Sequence, residues 1–159
     1  MLYLEINNIL NKREYDKLLS YGKFDLRLFN DVFKNINSDK IMIHIIDNSI
    51  DLEIVRPCNG WKLIHYLIYT KMKLETLKYI INKNIDLKHE SAGHNNPLCL
   101  SCQLSKDYEI IEFLIEKYKI LNIDCCPNKL IKSLDINCYL TEKEKESLKE
   151  KIIKMNIAS

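Results

Sequence analysis

Apolar residues recur three and four positions apart in two stretches of the chain that lie 34 positions apart. In the segment 75–83 the apolar stripe comprises Leu77, Ile80 and Ile81, and the segment 109–117 repeats it, with acid matching acid and apolar matching apolar. Side chains at this spacing share one face of an α-helix. The pattern therefore predicts two equivalent amphipathic helices.

A second helix precedes each of these. The segments 63–68 and 97–102 align at the same offset of 34, so each copy is predicted to hold two helices. At an offset of 35, the segments 28–30 and 41–46 supply a weaker, earlier copy. One helix pair cannot bury its own apolar face, so copies with a fixed period of this kind are expected to stack.

Short apolar-Asp segments separate the copies. They read Phe-Asp-Leu at 24–26, Ile-Asp-Leu at 50–52 and 85–87, and Ile-Asp at 123–124. Asp124 comes 38 positions after Asp86, which predicts an insertion near 118–121. The Pro127-Asn128 turn then opens a degenerate further repeat.

Both ends of the chain show capping patterns. Two short helical patterns at 3–10 and 13–21 predict an amino-terminal cap that Gly22 ends. A last helix is predicted at 141–155, where Thr141 and Glu144 have the spacing of a capping box. Its many Lys and Glu residues supply the solvated face that a terminal repeat needs.

Several of these segments match a known repeat motif. Residues 60–67 read Gly-Trp-Lys-Leu-Ile-His-Tyr-Leu, 95–101 read Asn-Asn-Pro-Leu-Cys-Leu-Ser, and 108–117 read Tyr-Glu-Ile-Ile-Glu-Phe-Leu-Ile-Glu-Lys. Together with Asn-Ile-Asp-Leu at 84–87 they resemble the ankyrin repeat, whose unit of about 33 residues carries Thr-Pro-Leu-His-x-Ala at its start. Compared with the ankyrin motif, the segment 60–67 has the Gly, Leu and His residues but lacks the Thr and Pro residues. The resemblance is strongest over 57–118.

The resemblance implies an all-α fold, an ankyrin-like helical repeat solenoid with degenerate terminal capping repeats. It implies one domain over 1–159. Its expected parts are an amino-terminal cap at 1–23, repeats at 24–56, 57–90 and 91–124, and a degenerate repeat with a carboxy-terminal cap at 125–159. Asn84 would take the left-handed conformation that Gly usually supplies in the return.

Composition and charge narrow the choice of partners. The 159 residues carry a formal net charge of +2, which gives no concentrated field for phosphate backbones, so nucleic acid is not expected. No apolar run approaches the ~20 residues of a bilayer span, so neither a membrane partner nor an export signal is expected and a cytoplasmic location is predicted. Frequent Ile, Lys, Asn and Tyr are typical of AT-rich genomes. If the source is a virus or an intracellular bacterium, the expected partner is a host protein.

The six cysteines are expected to be free thiols in a reducing compartment. Paired cysteines can hold structural zinc, so the alternative function is a small structural-zinc protein using Cys99, Cys102, Cys125 and Cys126. By the ankyrin alignment, however, Cys99 and Cys102 occupy buried positions of a first helix. Cysteine behaves there as a small hydrophobic residue, and core packing is the preferred interpretation.

Enzyme activity is not expected. The four histidines lack a local catalytic signature, and neither a Gly-rich phosphate loop nor a nucleotide motif is present. The resemblance assigns His65 a structural role, a hydrogen bond to backbone of a neighbouring loop. No cofactor is expected, and a cysteine-dependent enzyme remains a distant third hypothesis.

The remaining function is recognition of a partner protein through the concave face and turn tips of the repeat stack. Trp61, the only tryptophan, follows Gly60 in a turn where the ankyrin pattern is variable and points outward. In the competing interpretation, Trp61 folds back and packs on the Arg56-Pro57 turn. The predicted partner-binding residues are Trp61, Tyr69, Thr70, Asn59, Asn95, Gln103, Leu104, Lys34 and Asn35.

Overall fold

The regular structure of the described residues is helical. The computed structural model describes Glu5, Asn8, Ile9, Ile36 and the ranges 14–26, 38–70 and 72–157. Their helices are a 3-10 helix at Tyr15–Ser20 and seven α-helices: α1 Asp39–Asp47, α2 Leu63–Tyr69, α3 Leu74–Ile81, α4 Pro97–Leu104, α5 Tyr108–Ile120, α6 Pro127–Asp135 and α7 Glu142–Ile157. Over the same residues the only extended pairing is one isolated parallel bridge between Phe24 and Ser49.

The chain divides into two compact units, Met1–Ile85 and Asp86–Ser159. In the first unit, α1 contacts both α3 and the 3-10 helix, and α2 contacts α3. The Phe24 bridge ties the segment after the 3-10 helix to the end of α1, because Phe24 donates its N–H to the Asn48 carbonyl and accepts from the Ile50 N–H. Side chains without solvent exposure form the core of this unit: Leu18, Phe24, Ile45, Leu67, Leu77 and Ile80.

In the second unit, α4 contacts α5 and α6, and α7 contacts α5 and α6. Local sequence fixes where the first two of these helices begin. Pro97 is the first residue of α4, and the preceding Asn96 caps the helix because its side chain accepts the Cys99 N–H. Asp107 caps α5 in the same way by accepting the Glu109 N–H. The fully buried hydrophobic side chains are Leu98, Cys102, Ile111, Leu114, Tyr118, Leu134, Leu148 and Ile152.

Some hydrogen bonds between helices join residues that are about one repeat length apart in sequence. In the first unit Thr76 on α3 donates to Asp39 on α1, a separation of 37 residues. In the second unit Cys99 on α4 hydrogen-bonds with Ser133 on α6, 34 residues on. In each unit, such a bond joins two helices at a separation close to the 34-residue offset of the sequence pattern.

The helix predictions are confirmed over most of the described chain. The predicted insertion near 118–121 lengthens α5, which has 13 residues where α3 has 8. Asn84 has φ 58°, as expected for the left-handed return. The predicted helix at 13–21 is a 3-10 helix in its described part, and most of the predicted helix at 3–10 lies outside the described residues.

Within the described ranges, no helix is long and apolar enough to cross a membrane.

Candidate functional site

A tight turn at 56–61 places Trp61 directly before α2. The Arg56 N–H donates to the Trp61 carbonyl at 2.9 Å, and the Gly60 N–H donates to the Arg56 carbonyl at 2.8 Å. Gly60 has φ 68°, a conformation that L side chains rarely adopt, which explains a glycine here. Asn59 completes the turn by accepting the Trp61 N–H on its side-chain oxygen at 3.1 Å.

Buried polar contacts fix the beginning of α2. His65 is fully buried, and its Nδ1 accepts the Lys62 N–H at 3.3 Å. This bond lies within the start of its own helix, and the histidine therefore helps to cap α2. Lys62 forms an ion pair with Glu53 at 2.5 Å, which ties the preceding loop to the same place.

Three aromatic rings meet on this part of the first unit, and we call Trp61, Tyr66 and Tyr69 the aromatic cluster. The Trp61 ring centroid lies 5.0 Å from that of Tyr66 and 5.3 Å from that of Tyr69, with the planes inclined by 70° and 61°. Edge-to-face pairs of this kind are favourable. Tyr69 stays 49% exposed and Trp61 is half-buried, so the cluster faces solvent in part.

Polar groups hold the Tyr66 hydroxyl in place. It accepts from Arg56 Nη1 at 2.9 Å and from Asn59 Nδ2 at 3.3 Å. The Arg56 guanidinium also lies 5.9 Å from the Tyr66 ring centroid, a cation–π distance. The turn and the first helical turns of α2 thus form one hydrogen-bonded group.

The structure brings together three of the predicted site residues, Trp61, Tyr69 and Asn59. Thr70 follows them, with its hydroxyl donating to the Leu67 carbonyl at the end of α2. Lys34 and Asn35 lie outside the described residues. The structure agrees in part with both interpretations of Trp61. Its backbone pairs with Arg56, as in the folded-back interpretation, and its ring lies over α2 and is partly exposed, as in the outward-pointing one.

The sequence reasoning did not select Tyr66 and Arg56. A usable signal for Tyr66 was its position three before Tyr69, which places both side chains on one helix face. For Arg56 the available signal was its place in the same turn as Trp61.

The other predicted residues belong to the second unit. Asn95 is half-buried and its side-chain oxygen accepts from the Cys99 thiol at 3.2 Å. Gln103 and Leu104 are half-buried at the end of α4. Beside this end lies Asn137, a residue that the sequence reasoning did not select.

Asn137 holds the end of α4 against the segment after α6. It is 1% exposed, and its side chain donates to the carbonyls of Cys102 and Ser105, both at 2.9 Å. Its oxygen accepts the N–H groups of Tyr139 and Leu140. The two bonds to Tyr139 and Leu140 are local turn bonds, whereas the two bonds to Cys102 and Ser105 depend on the packing of α6 against α4, which no local sequence pattern predicts.

The cysteines divide by burial. Cys99 and Cys102 are buried in α4, as the core-packing interpretation predicted, whereas Cys58, Cys126 and Cys138 are exposed and Cys125 is half-buried. Burial raises the pKa of Cys102 far above its ordinary value. Burial, and then the nearby Asp124 charge, raise the pKa of Cys125 to about 11. Both thiols are therefore protonated at neutral pH, the form that neither attacks electrophiles nor binds metal.

A pocket of about 270 Å³ is lined in part by Cys99, Cys125 and Cys126. Cys99 uses its sulfur to bond Asn95 and Ser133. Across the described part of the chain, no group of three or more His, Cys, Asp or Glu side chains is placed to hold a metal ion. The geometry thus offers no support for the zinc alternative.

Comparison of the chain with protein-family models, with curated proteins and with solved structures finds no match.

Proposed function

We propose that this chain is a non-catalytic, ankyrin-like repeat protein that binds a partner protein inside the cell, and that the aromatic cluster and the turn 56–61 form its contact surface. The observation that carries the proposal is the partly exposed Trp61–Tyr69 pair, whose ring centroids lie 5.3 Å apart at the junction of a turn and a helix. Trp, Tyr and Arg are the residue types that most often dominate binding energy at protein interfaces.

The repeat-length hydrogen bonds support the ankyrin-like part of the proposal. Bonds such as Cys99–Ser133 relate equivalent helices at the sequence period, and repeated helix pairs that contact their neighbours are the general plan of helical solenoids. In ankyrin repeats the turn tips and first helices face the partner. Trp61 belongs to such a turn and Tyr69 ends such a helix.

Preorganisation explains how a small surface can bind. The backbone bonds of the turn and the contacts of the Tyr66 hydroxyl hold the aromatic cluster before any partner arrives. A rigid surface loses less conformational entropy on association than a flexible one, by roughly 0.5–1.5 kcal/mol for each side chain already ordered. Few contacts are then sufficient for useful affinity.

The test is a comparison of captured proteins between the parent chain and the double variant Trp61→Ala, Tyr69→Ala. A matched control, Ile136→Ala, Tyr139→Ala, removes exposed apolar surface from the second unit, where these side chains are 64% and 46% exposed. All three proteins are first checked for equal helicity and equal melting temperature by circular dichroism.

The proposal expects a partner that the parent and the control capture and the Trp61, Tyr69 variant loses. Equal capture by that variant would refute the aromatic cluster as the contact surface. Loss of capture by the control alone would move the site to the second unit.

A further inference from the structure

The turn at 56–61 contains the dipeptide Asn59-Gly60, which is chemically reactive. Of the three glycines in the chain, only Gly60 follows an asparagine. Asparagine is a thermolabile residue, because the nitrogen of the next residue can attack the carbon of its side-chain amide. Glycine hinders this attack least, since it has no Cβ beside the nitrogen. The sequence therefore distinguishes Asn59 from every other asparagine of the chain.

The position of Asn59 in the fold leaves this reaction open. Asn59 and Gly60 lie between two helices, in the turn before α2, and both are half-buried. Asn128, by contrast, lies within α6, where helical hydrogen bonds fix the backbone. Asn122 is exposed in another turn, but the branched Ile123 follows it. Asn59 thus combines an unhindered neighbour with a backbone outside regular structure.

Three hydrogen bonds of the turn restrain the two reacting groups. The Asn59 side-chain oxygen accepts the Trp61 N–H at 3.1 Å, and the Asn59 Nδ2 donates to the Tyr66 hydroxyl at 3.3 Å. The Gly60 N–H donates to the Arg56 carbonyl at 2.8 Å. The Gly60 nitrogen has to leave this carbonyl, and the Asn59 amide has to turn toward the nitrogen, before the two can bond. Local opening of the turn is therefore expected to set the rate.

We propose that Asn59 is a site of spontaneous deamidation and that the turn 56–61 controls its rate. In the first step the Gly60 nitrogen gives up its proton and bonds to the Asn59 Cγ, while the Cγ–Nδ2 bond breaks and Nδ2 leaves as ammonia with that proton. In the second step water opens the resulting succinimide ring at either of its two carbonyl carbons. The products are aspartate and isoaspartate at position 59. Water is the only co-reactant, and no electron is transferred.

Both products change the surroundings of the aromatic cluster. Aspartate replaces the Asn59 amide by a carboxylate, which cannot donate to the Tyr66 hydroxyl. Isoaspartate carries the main chain through Cγ and so lengthens the backbone inside the turn. The hydrogen bonds between Arg56 and Trp61 that close the turn no longer fit this longer backbone, so the Trp61 ring is expected to move. The effect on partner binding rests on the proposed function, whereas the modification itself does not.

The test follows the folded full chain over several weeks at neutral pH. Peptide mapping by mass spectrometry detects deamidation, because an NH2 group is replaced by OH. An isoaspartate-specific methyltransferase with a labelled methyl donor measures the isoaspartate. Asn122 and Asn128 are internal controls, since both are exposed and neither precedes a glycine.

Three variants and one denatured sample accompany the parent chain. Tyr66→Phe removes the hydroxyl that holds the Asn59 amide. Tyr79→Phe is its matched control in the same unit, since the Tyr79 hydroxyl bonds Asp47 instead. Asn59→Gln checks the assay, because its longer side chain does not form the five-membered ring. The parent in urea gives the rate of the unrestrained chain, and circular dichroism first confirms equal helicity of the folded proteins.

Asn59 is expected to deamidate before every other asparagine of the parent chain. Its rate should rise about tenfold in urea, a factor that corresponds to an opening free energy of about 1.4 kcal/mol for the turn. Tyr66→Phe should raise the rate in the folded protein about two- to tenfold, the range for the loss of one hydrogen bond. Tyr79→Phe should leave the rate unchanged. Fluorescence of Trp61, the single tryptophan, should change as isoaspartate accumulates.

An Asn59 that reacts no faster than Asn122, or stays intact even in urea, would overturn the modification site. Equal rates in the folded chain and in urea, or equal effects of Tyr66→Phe and Tyr79→Phe, would refute the control by the turn. Unchanged fluorescence in the modified chain would refute the effect on the aromatic cluster. The proposed function fails by a different result, when the Trp61, Tyr69 variant still captures the partner of the parent.

Discussion

Cys99 belongs to a set of residues that recur at one spacing in the sequence and differ in their polar contacts. It lies 34 residues after His65, and Ser133 follows after another 34. His65 accepts the Lys62 N–H, whereas Cys99 is tied to both Asn95 and Ser133. Each of these buried groups has a hydrogen-bond partner, because unpaired polar groups are costly when buried.

The burial of the thiols leads to an ordered labelling prediction. With iodoacetamide at neutral pH, Cys58, Cys126 and Cys138 should react in the native protein, and Cys99 and Cys102 should react only after unfolding. Cys125 should react slowly, and faster as the pH rises toward its raised pKa of about 11. Peptide mapping by mass spectrometry measures all six sites.

The control is the same labelling experiment on reduced, metal-free protein, repeated after zinc has been added. Selective protection of Cys125 and Cys126 by zinc would contradict the assignment of these thiols as free. Rapid native labelling of Cys102 would contradict its place in the core.

Asn137 carries a prediction about stability. Asn137→Ala removes four hydrogen bonds and leaves the buried carbonyls of Cys102 and Ser105 without their donors. An unsatisfied buried group costs about 1–3 kcal/mol, so the free energy of unfolding in urea should fall by roughly 3 kcal/mol. Asn128→Ala, at an exposed position of α6, should change it by less than about 0.5 kcal/mol. Equal unfolding curves for both variants would show that the Asn137 bonds contribute nothing.

At the scale of elements, periodicity and capping motifs were sufficient to predict most helices. The stripe in 75–83 is α3, and the stripe in 109–117 is α5. The structure after residue 118 was harder to predict, because the repeat register is weak there and the pattern does not distinguish a longer helix from a longer loop. The aromatic cluster was predictable only through Trp61 and Tyr69, because the bond between Arg56 and Tyr66 is a tertiary contact. The bonds from Asn137 to the end of α4 in the second unit are tertiary contacts as well.

The capping box of α7 predicts a pH dependence of stability. Thr141 donates its hydroxyl and its N–H to the Glu144 carboxylate, and the Glu144 N–H donates back to the Thr141 hydroxyl. The Thr141 hydroxyl, and then its N–H, hold the pKa of Glu144 below its ordinary value of 4.5. A carboxyl with a lowered folded pKa stabilises the fold above its unfolded pKa, and this stabilisation is lost as the pH falls through the folded pKa.

The measurement is the melting temperature between pH 7 and pH 3 for three proteins. Thr141→Ala should melt about 2–4 °C below the parent at pH 7, the usual scale of a lost cap in a chain of this length. Glu144→Gln keeps a group that can accept the Thr141 N–H but does not titrate, so its gap from the parent should be constant above pH ~5 and shrink below. A gap that grows as the pH falls would contradict the assigned sign.

At the scale of the whole molecule, the repeat period did not predict the division into two compact units. The boundary between Ile85 and Asp86 falls inside one of the apolar-Asp returns. The residues of that return follow the same pattern as those of the other returns, so they do not indicate how strongly the neighbouring helices pack.

This division predicts local effects of core mutations. Leu77→Ala in α3 and Leu114→Ala in α5 remove the same side chain from fully buried positions, one in each unit. Each should cost about 2–5 kcal/mol. Amide hydrogen exchange should show the larger loss of protection over α1–α3 for Leu77→Ala and over α4–α7 for Leu114→Ala, because α3 contacts α1 and α2, and α5 contacts α4 and α7. Lys143→Ala, at an exposed position of α7, should leave both patterns unchanged. If either leucine variant lowered protection equally along the chain, the two units would unfold as one, and the aromatic cluster of the first unit would then depend on the stability of every helix.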